Sequence, residues 1–299
     1  MDEANANSPG VIDFATASRV TGGDRHFTAE VHPSWDGPLT THGGLLQAIA
    51  LNAIEAAINS DGAFQPRSIT CHYLRPPTHG SVDIFVDPQR RGRRFASTRA
   101  TMSQGGKPCI SVLATHSNRE LSEIDSWQLE APAVAPPPSR SAEKVTPEDF
   151  IAGRQDAWIE LPAEAPAFFQ RMLFSARFGH GIFRGPPVEP AKGTSNGGWI
   201  MSETPHPIDA AWVAFVVDAL WPSVLEPMRQ PTMAPTLDLT THFRGQIPKQ
   251  GLPDQPLLVH NRTRALLGGL ADSDSWVFTA DGTLLAQARQ LQLVAPIEV

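Results

Sequence analysis

The segment Pro207-Ile-Asp-Ala-Ala-Trp-Val-Ala-Phe-Val-Val-Asp-Ala-Leu-Trp221 decides how the rest of the chain is read. From Ala210 to Val217 every residue is apolar, and a single carboxylate, Asp218, follows before Ala219 and Leu220. The alanines and the length predict a helix with Pro207 at its first position, Asp209 in its first turn and Pro222 as its stop. A helix that is apolar all round is a buried one. Asp218 is therefore expected near the negative end of a buried helix, where neither the dipole nor solvent favours its ionised form. A carboxylate kept at such a cost points to a working role. The plainer alternative is an Asp on a solvated edge of the last turn.

Downstream, Pro235 to Phe243 and Leu257 to Ala265 read as strands, and Ser275 to Ala280 and Leu284 to Leu293 flank Asp281-Gly282, a hairpin signal. The same order occurs upstream. Phe27 to His32 alternates like a strand, and Leu45 to Ile58 reads as a second buried helix. Arg67 to Leu74, Ser81 to Pro88, Phe95 to Ser103 and Cys109 to His116 follow as strands, the last two around Gly105-Gly106. Strand, long helix and antiparallel meander thus occur twice, an internal repeat. Its alignment places Asp218, Thr236 and Gln290 on Asn52, Arg67 and Ala114. Between the halves lies Ala131-Pro-Ala-Val-Ala-Pro-Pro-Pro-Ser139, which suits a connection rather than a core element. The expected division is a flexible start over 1–24, one unit over 25–117, a Pro-rich connection over 118–198 with at most an edge strand, and a second unit over 199–299.

The 299 residues suffice for two units with ample core. A formal net charge of -7 disfavours bulk attraction to nucleic acid or anionic membrane. The first ten residues carry neither a basic region nor an apolar one, so no signal peptide is visible, and no apolar run reaches the roughly 20 residues of a membrane span. Two cysteines, Cys71 and Cys109, give neither a disulfide framework nor a metal cluster, which suits a reduced, cytoplasmic setting.

Several motifs now combine. Gly43-Gly44-Leu-Leu-Gln-Ala, His72-Tyr-Leu-Arg-Pro76 and Arg91-Gly-Arg-Arg-Phe95 in the first half, with Val-Asp218-Ala-Leu-Trp-Pro, Pro-Thr236-Leu-Asp-Leu-Thr-Thr-His-Phe and Leu-Leu-Ala-Gln-Ala-Arg-Gln290 in the second, resemble the thioesterase-like family that includes acyl-CoA thioesterase II. The resemblance covers roughly 25–117 and 199–295. It implies an α+β double hotdog fold, in which each of two antiparallel sheets wraps a central helix. It also implies hydrolysis of acyl-CoA by a water held by Asp218, Thr236 and Gln290, without metal or other cofactor, in a homodimer or homotetramer. One such site per chain is expected, since Asn52, Arg67 and Ala114 cannot reproduce the set. The sequence departs from the family at Leu239, where a histidine is usual, and in its long Pro-rich insert.

The residue types suit the chemistry independently. A carboxylate can take a proton from water. A hydroxyl and an amide can orient the same water without titrating near neutrality. Gly43 and Gly44 open the opposing helix, where backbone N–H groups could meet the developing oxyanion. The acyl chain is expected in an apolar tunnel beside Trp212 and Phe215. His42 suits helix capping better than substrate contact. Arg90-Arg-Gly-Arg-Arg94 suits a solvated hairpin end better than coenzyme A phosphates, and Asp238 a strand face better than a second base. Two other readings keep the fold: an acyl-CoA or lipid-binding protein that does not hydrolyse, and an enoyl-CoA hydratase. The hydratase chemistry usually pairs an Asp with a nearby His, and no His lies close to Asp218 in sequence.

Overall fold

The computed structural model describes residues 10–59, 62–118, 126–178, 193–228 and 230–297. Its main strands are β1 (Thr21–Gly23), β2 (His26–Val31), β3 (Phe64–Tyr73), β4 (Gly80–Arg91), β5 (Phe95–Gln104), β6 (Lys107–Asn118), β7 (Met172–Phe178), β8 (Thr194–Ser202), β9 (Thr236–Phe243), β10 (Leu257–Thr263), β11 (Leu270–Phe278) and β12 (Leu284–Leu293). With the short strand Leu266–Leu267 on β11 they form a 13-stranded sheet, in the order β1-β2-β4-β5-β6-β3-β9-β12-β11-β10-β8-β7. Every pairing within this sheet is antiparallel.

The order is mirrored about the β3–β9 seam, where Thr70 faces Thr240 and their hydroxyls meet at 3.0 Å. On either side the register repeats. Ile69 pairs with Ala114 as Leu239 pairs with Gln290, and Pro66 with His116 as Thr236 with Gln292. Each half carries a β-bulge at the same place, between Pro66 and Ser68 and between Thr236 and Asp238. The register corrects the expected alignment by one residue: Thr236 corresponds to Pro66, not Arg67, while Gln290 keeps Ala114. Counted from the helix caps His42 and Asp209, Asp218 corresponds to Leu51 rather than Asn52. Leu51, Pro66 and Ala114 carry no titratable group.

The helices Gly43–Ile58 and Ala210–Val216 pack on one another and share a single apolar cluster with the inward strand faces. The alternation that predicted strands sets those faces: Val82, Ile84 and Val86 are buried between exposed neighbours. Gln47, in the N-half helix, is fully buried and reaches across the seam. Its Oε1 accepts from the Thr241 hydroxyl at 2.7 Å, and its Nε2 donates to the Leu239 carbonyl at 3.4 Å. A buried amide so satisfied ties the two halves without leaving an unpaired polar group.

Three expectations need correction. The C-half helix ends at Val216, well short of Trp221, and Pro207 lies before it; Asp209 is its N-cap, accepting from Trp212 N at 2.7 Å. Val217 to Ala219 instead form a turn closed by Asp218 N to Phe215 O and Ala219 N to Val216 O, both 3.1 Å. Within the expected flexible start, residues 1–9 lie outside the described residues, but Phe14–Ala17 forms a capped helical turn with Phe14 buried against Trp35 and Trp212. The expected connection contains two strands of the main sheet, β7 and β8, so the second unit's sheet starts before residue 199. Gly197-Gly198 hides β8 from propensity, because glycine weakens a strand interior. The close approach of β7 requires it: a Cβ on Gly198 would lie 2.2 Å from the Ser175 carbonyl oxygen. Gly198→Ala is expected to cost about 1–3 kcal/mol by overpacking, read as a lowered Tm in thermal unfolding; an unchanged Tm would show that β7 yields freely.

Candidate active site

Asp218 is carried by the turn after the C-half helix, which aims its carboxylate at the start of the N-half helix. Its Oδ2 accepts from the Gly44 amide at 2.7 Å, and its Oδ1 accepts from Gln290 Nε2 at 2.7 Å. The Gln290 Oε1 in turn accepts from the Thr236 hydroxyl at 2.8 Å and from Gln292 Nε2 at 3.1 Å. Asp218, Thr236 and Gln290, distant in sequence, thus form one connected network.

Strand geometry explains how. On β12 the period of two turns Ala288, Gln290 and Gln292 inward, and all three are buried. On β9 the same period would send Leu237 inward and Thr236 out. The bulge inserts one residue, so Leu237 faces solvent and Thr236 pairs with Gln292 on the inner side. Asp238 lies beyond the bulge, opposite His72 on β3, and has no part in the network.

Burial pushes the Asp218 carboxyl above the ordinary carboxylate range, opposed by the nearby His42 and by the bonds from Gln290 and Gly44. The Gly44 amide belongs to the positive end of the facing helix. The environment is therefore less hostile to the carboxylate than its own helix end alone suggests. Gly44 also spends its N–H on the Asp218 carboxylate rather than leaving it free for a substrate oxygen, which differs from its expected role in an oxyanion hole. Gly43 adjoins the same carboxylate: a Cβ there would lie 3.0 Å from Asp218 Oδ2 and 3.4 Å from the Tyr73 hydroxyl. The Tyr73 hydroxyl donates to the Gly43 carbonyl at 2.9 Å, and burial raises its pKa well above the ordinary value, so it remains a neutral donor.

The network opens on a cavity of about 480 Å³. Asp218, Thr236, Gln292, His42 and Tyr73 line it, with Leu46, Leu74, Phe168, Phe169, Leu220 and Trp221 supplying much of its apolar wall. Trp212 and Phe215 are not on this wall; they are buried behind it, against Phe14. The tunnel expected beside them is not found there, because Phe14 of the N-terminal segment packs against both rings. The Arg90–Arg94 run joins β4 to β5, at the end of the N-half sheet opposite Tyr73, where Arg91 lies 5.2 Å over the Phe64 ring. It does not line the cavity.

Sequence reasoning missed Gln292, Phe168 and Phe169, and it mistook His42. Gln292 was detectable, lying two residues beyond Gln290 on a strand. Phe168 and Phe169 arrive on a 3-10 turn inside the Pro-rich connection, and nothing local marks them as cavity wall. His42 makes no side-chain cap bond. Its Nε2 instead lies 3.0 Å from the Asp218 backbone carbonyl.

Two sequence profiles match the chain: the acyl-CoA thioesterase N-terminal domain over residues 31–117 and the acyl-CoA thioesterase C-terminal domain over residues 142–294. The chain belongs to the acyl-CoA thioesterase family. An uncharacterised protein of Mycobacterium tuberculosis is 27% identical over 94 residues, a match spanning 30% of this chain and 32% of that protein. A hot dog fold protein of unknown function from Alicyclobacillus acidocaldarius superposes with a TM-score of 0.77 at 22% identity, covering 95% of this chain and 98% of its own. An acyl-CoA thioesterase II from Mycobacterium marinum superposes with a TM-score of 0.70 at 18% identity, again over 95% and 98%. The α+β double hotdog architecture expected from the sequence is the fold of this chain, and these solved structures share it. The C-terminal profile includes β7 and β8, consistent with a second unit that begins inside the expected connection. Among the described residues no helix is long and apolar enough to cross a membrane.

Proposed function

We propose that this chain hydrolyses acyl-CoA thioesters with Asp218 as general base. The observation that carries the reading is the Asp218–Gln290–Thr236 network at the wall of an apolar cavity. Asp218 takes a proton from a water that the Thr236 hydroxyl and the Gln290 amide hold against the thioester carbonyl. The acyl chain lies along Phe168, Phe169 and Trp221, and the thiol half extends toward solvent. Gln292 acts by positioning. Its Nε2 bond to Gln290 Oε1 keeps the Gln290 amide turned so that the NH₂ faces Asp218.

The test is free-thiol release from a panel of acyl-CoAs, short to long, by the wild type and Gln290→Leu. The wild type should turn over, with a preference along the panel set by the cavity. Gln290→Leu should lose on the order of 10²-fold in kcat, because a misplaced water forfeits the near-attack geometry. Saturable binding without thiol release would instead support the non-hydrolytic lipid-binding reading. One observation favours a second enzymatic reading: the fold brings His42 to Asp218, supplying the Asp–His pair that an enoyl-CoA hydratase uses. Loss of enoyl absorbance without thiol release in the same assay would select it.

A further inference from the structure

The repeat offers a comparison at the two helix starts. At the N-cap of the C-half helix, Asp209 does what a cap does and accepts from the Trp212 amide. At the same position of the N-half helix stands His42, whose side chain caps nothing. The ring is clamped between Phe168, with centroids 4.2 Å apart, and Phe215, at 5.0 Å. Its Nε2 lies 3.0 Å from the Asp218 carbonyl oxygen, which can only accept, so in the neutral ring Nε2 bears the hydrogen. Nδ1 is then a bare lone pair. It is buried without a hydrogen-bond partner, 3.9 Å from Asp218 Oδ2, on a side chain that is 7% exposed and lines the cavity. Buried acceptors are normally satisfied, and one left open beside a catalytic carboxylate calls for an explanation.

We propose that His42 is a catalytic residue that carries the proton from Asp218 to the leaving thiol. The inference rests on the hydrolytic reading above. As the water oxygen bonds to the thioester carbon, Asp218 takes one water proton. The protonated Oδ2 passes it to His42 Nδ1, across a gap that closes when substrate fills the cavity; catalytic contacts are often long in empty sites. As the carbon–sulfur bond breaks and its electron pair goes to sulfur, His42 Nδ1–H gives the proton to that sulfur. The water's OH stays on the acyl carbon, its second proton on the thiol, and both side chains return to their starting state. Burial holds the imidazole below its ordinary pKa, so it is neutral at rest and able to receive the proton.

The test compares two thioesters of one fatty acid: the coenzyme A ester, whose alkyl thiol is a poor leaving group without a proton, and the 4-nitrophenyl thioester, whose thiolate leaves unaided. His42→Gln retains an N–H for the Asp218 carbonyl but supplies no base. It should lower kcat on the coenzyme A ester by about 10²-fold or more and on the nitrophenyl ester by less than about tenfold, the scale of one lost positioning contact. Equal losses on the two esters, or no loss on the coenzyme A ester, would overturn the proton-carrying role and leave hydrolysis standing. A wild type inert toward both would overturn the hydrolytic reading and this one with it. His42→Asn, with a shorter amide, should show the same split, which guards against a folding defect peculiar to one variant.

Discussion

Asp218→Asn should lower turnover of an acyl-CoA by on the order of 10² to 10⁴, the contribution of a positioned general base, which is about 3–5 kcal/mol of barrier. The loss should fall on both the coenzyme A and the aryl thioester, since each needs an activated water. The substitution is nearly isosteric but changes the polarity of one atom. Asp218 now accepts from two donors, the Gly44 amide and Gln290 Nε2. Asn offers one oxygen, so its NH₂ must face one of those donors or force Gln290 to turn, and Gln290 is held by Thr236 and Gln292. The wild type's acid limb should stand above the usual carboxylate range, because burial raises the Asp218 pKa. Stability carries the opposite sign. A carboxyl with a raised folded-state pKa favours the fold while protonated, and that contribution is lost as pH rises from the ordinary value of 3.8 through the raised one. Measured by unfolding across that window, the wild type should lose stability relative to Asp218→Asn as pH rises. Thiol release by the variant at the wild-type rate would remove Asp218 from the mechanism.

Much of this arrangement was legible in the chain because charge in an apolar run is conspicuous. Asp218 stands out after eight apolar residues, Ala210 to Val217, and the paired hairpin glycines made the repeat visible. Thr236 and Gln290 were found through family resemblance; alone, a strand threonine and a strand glutamine say little. What the sequence concealed has local physical causes. Val217 has the composition to continue a helix, and only the packing of Asp218 onto Gly44 shows why the chain turns there. A bulge leaves no mark in residue type, so the inward turn of Thr236 and the one-residue shift from Arg67 to Pro66 came from register. The cavity wall at Phe168 and Phe169 depends on a long-range fold of the Pro-rich connection. His42 read as a cap because its place at a helix start is local information, whereas its partner is 176 residues away.

Gly44→Ala should be the most damaging single methyl in the chain's active site. The N-half helix begins so close to the end of the C-half helix that a Cβ on Gly44 would lie 2.6 Å from the Phe215 carbonyl oxygen, 3.0 Å from Asp218 Cβ and 3.1 Å from His42 Cε1. The first contact is with backbone and cannot be relieved by a rotamer change, so the helices must separate or tilt. Either movement carries the Gly44 amide away from Asp218 Oδ2 and displaces the carboxylate from the place the proposed mechanism requires of it. A displacement of about 1 Å at a reacting geometry costs on the order of 10² in rate, and the overpacking itself about 1–3 kcal/mol of stability. Gly43→Ala supplies the control. Its Cβ would meet side-chain atoms, Asp218 Oδ2 at 3.0 Å and the Tyr73 hydroxyl at 3.4 Å, which can give way. The pair should therefore separate, with Gly44→Ala losing both Tm and turnover and Gly43→Ala retaining Tm and losing less activity. If both variants kept wild-type turnover, the contact between helix start and base would have no part in catalysis, and the backbone N–H at Gly44 would be a structural tie alone.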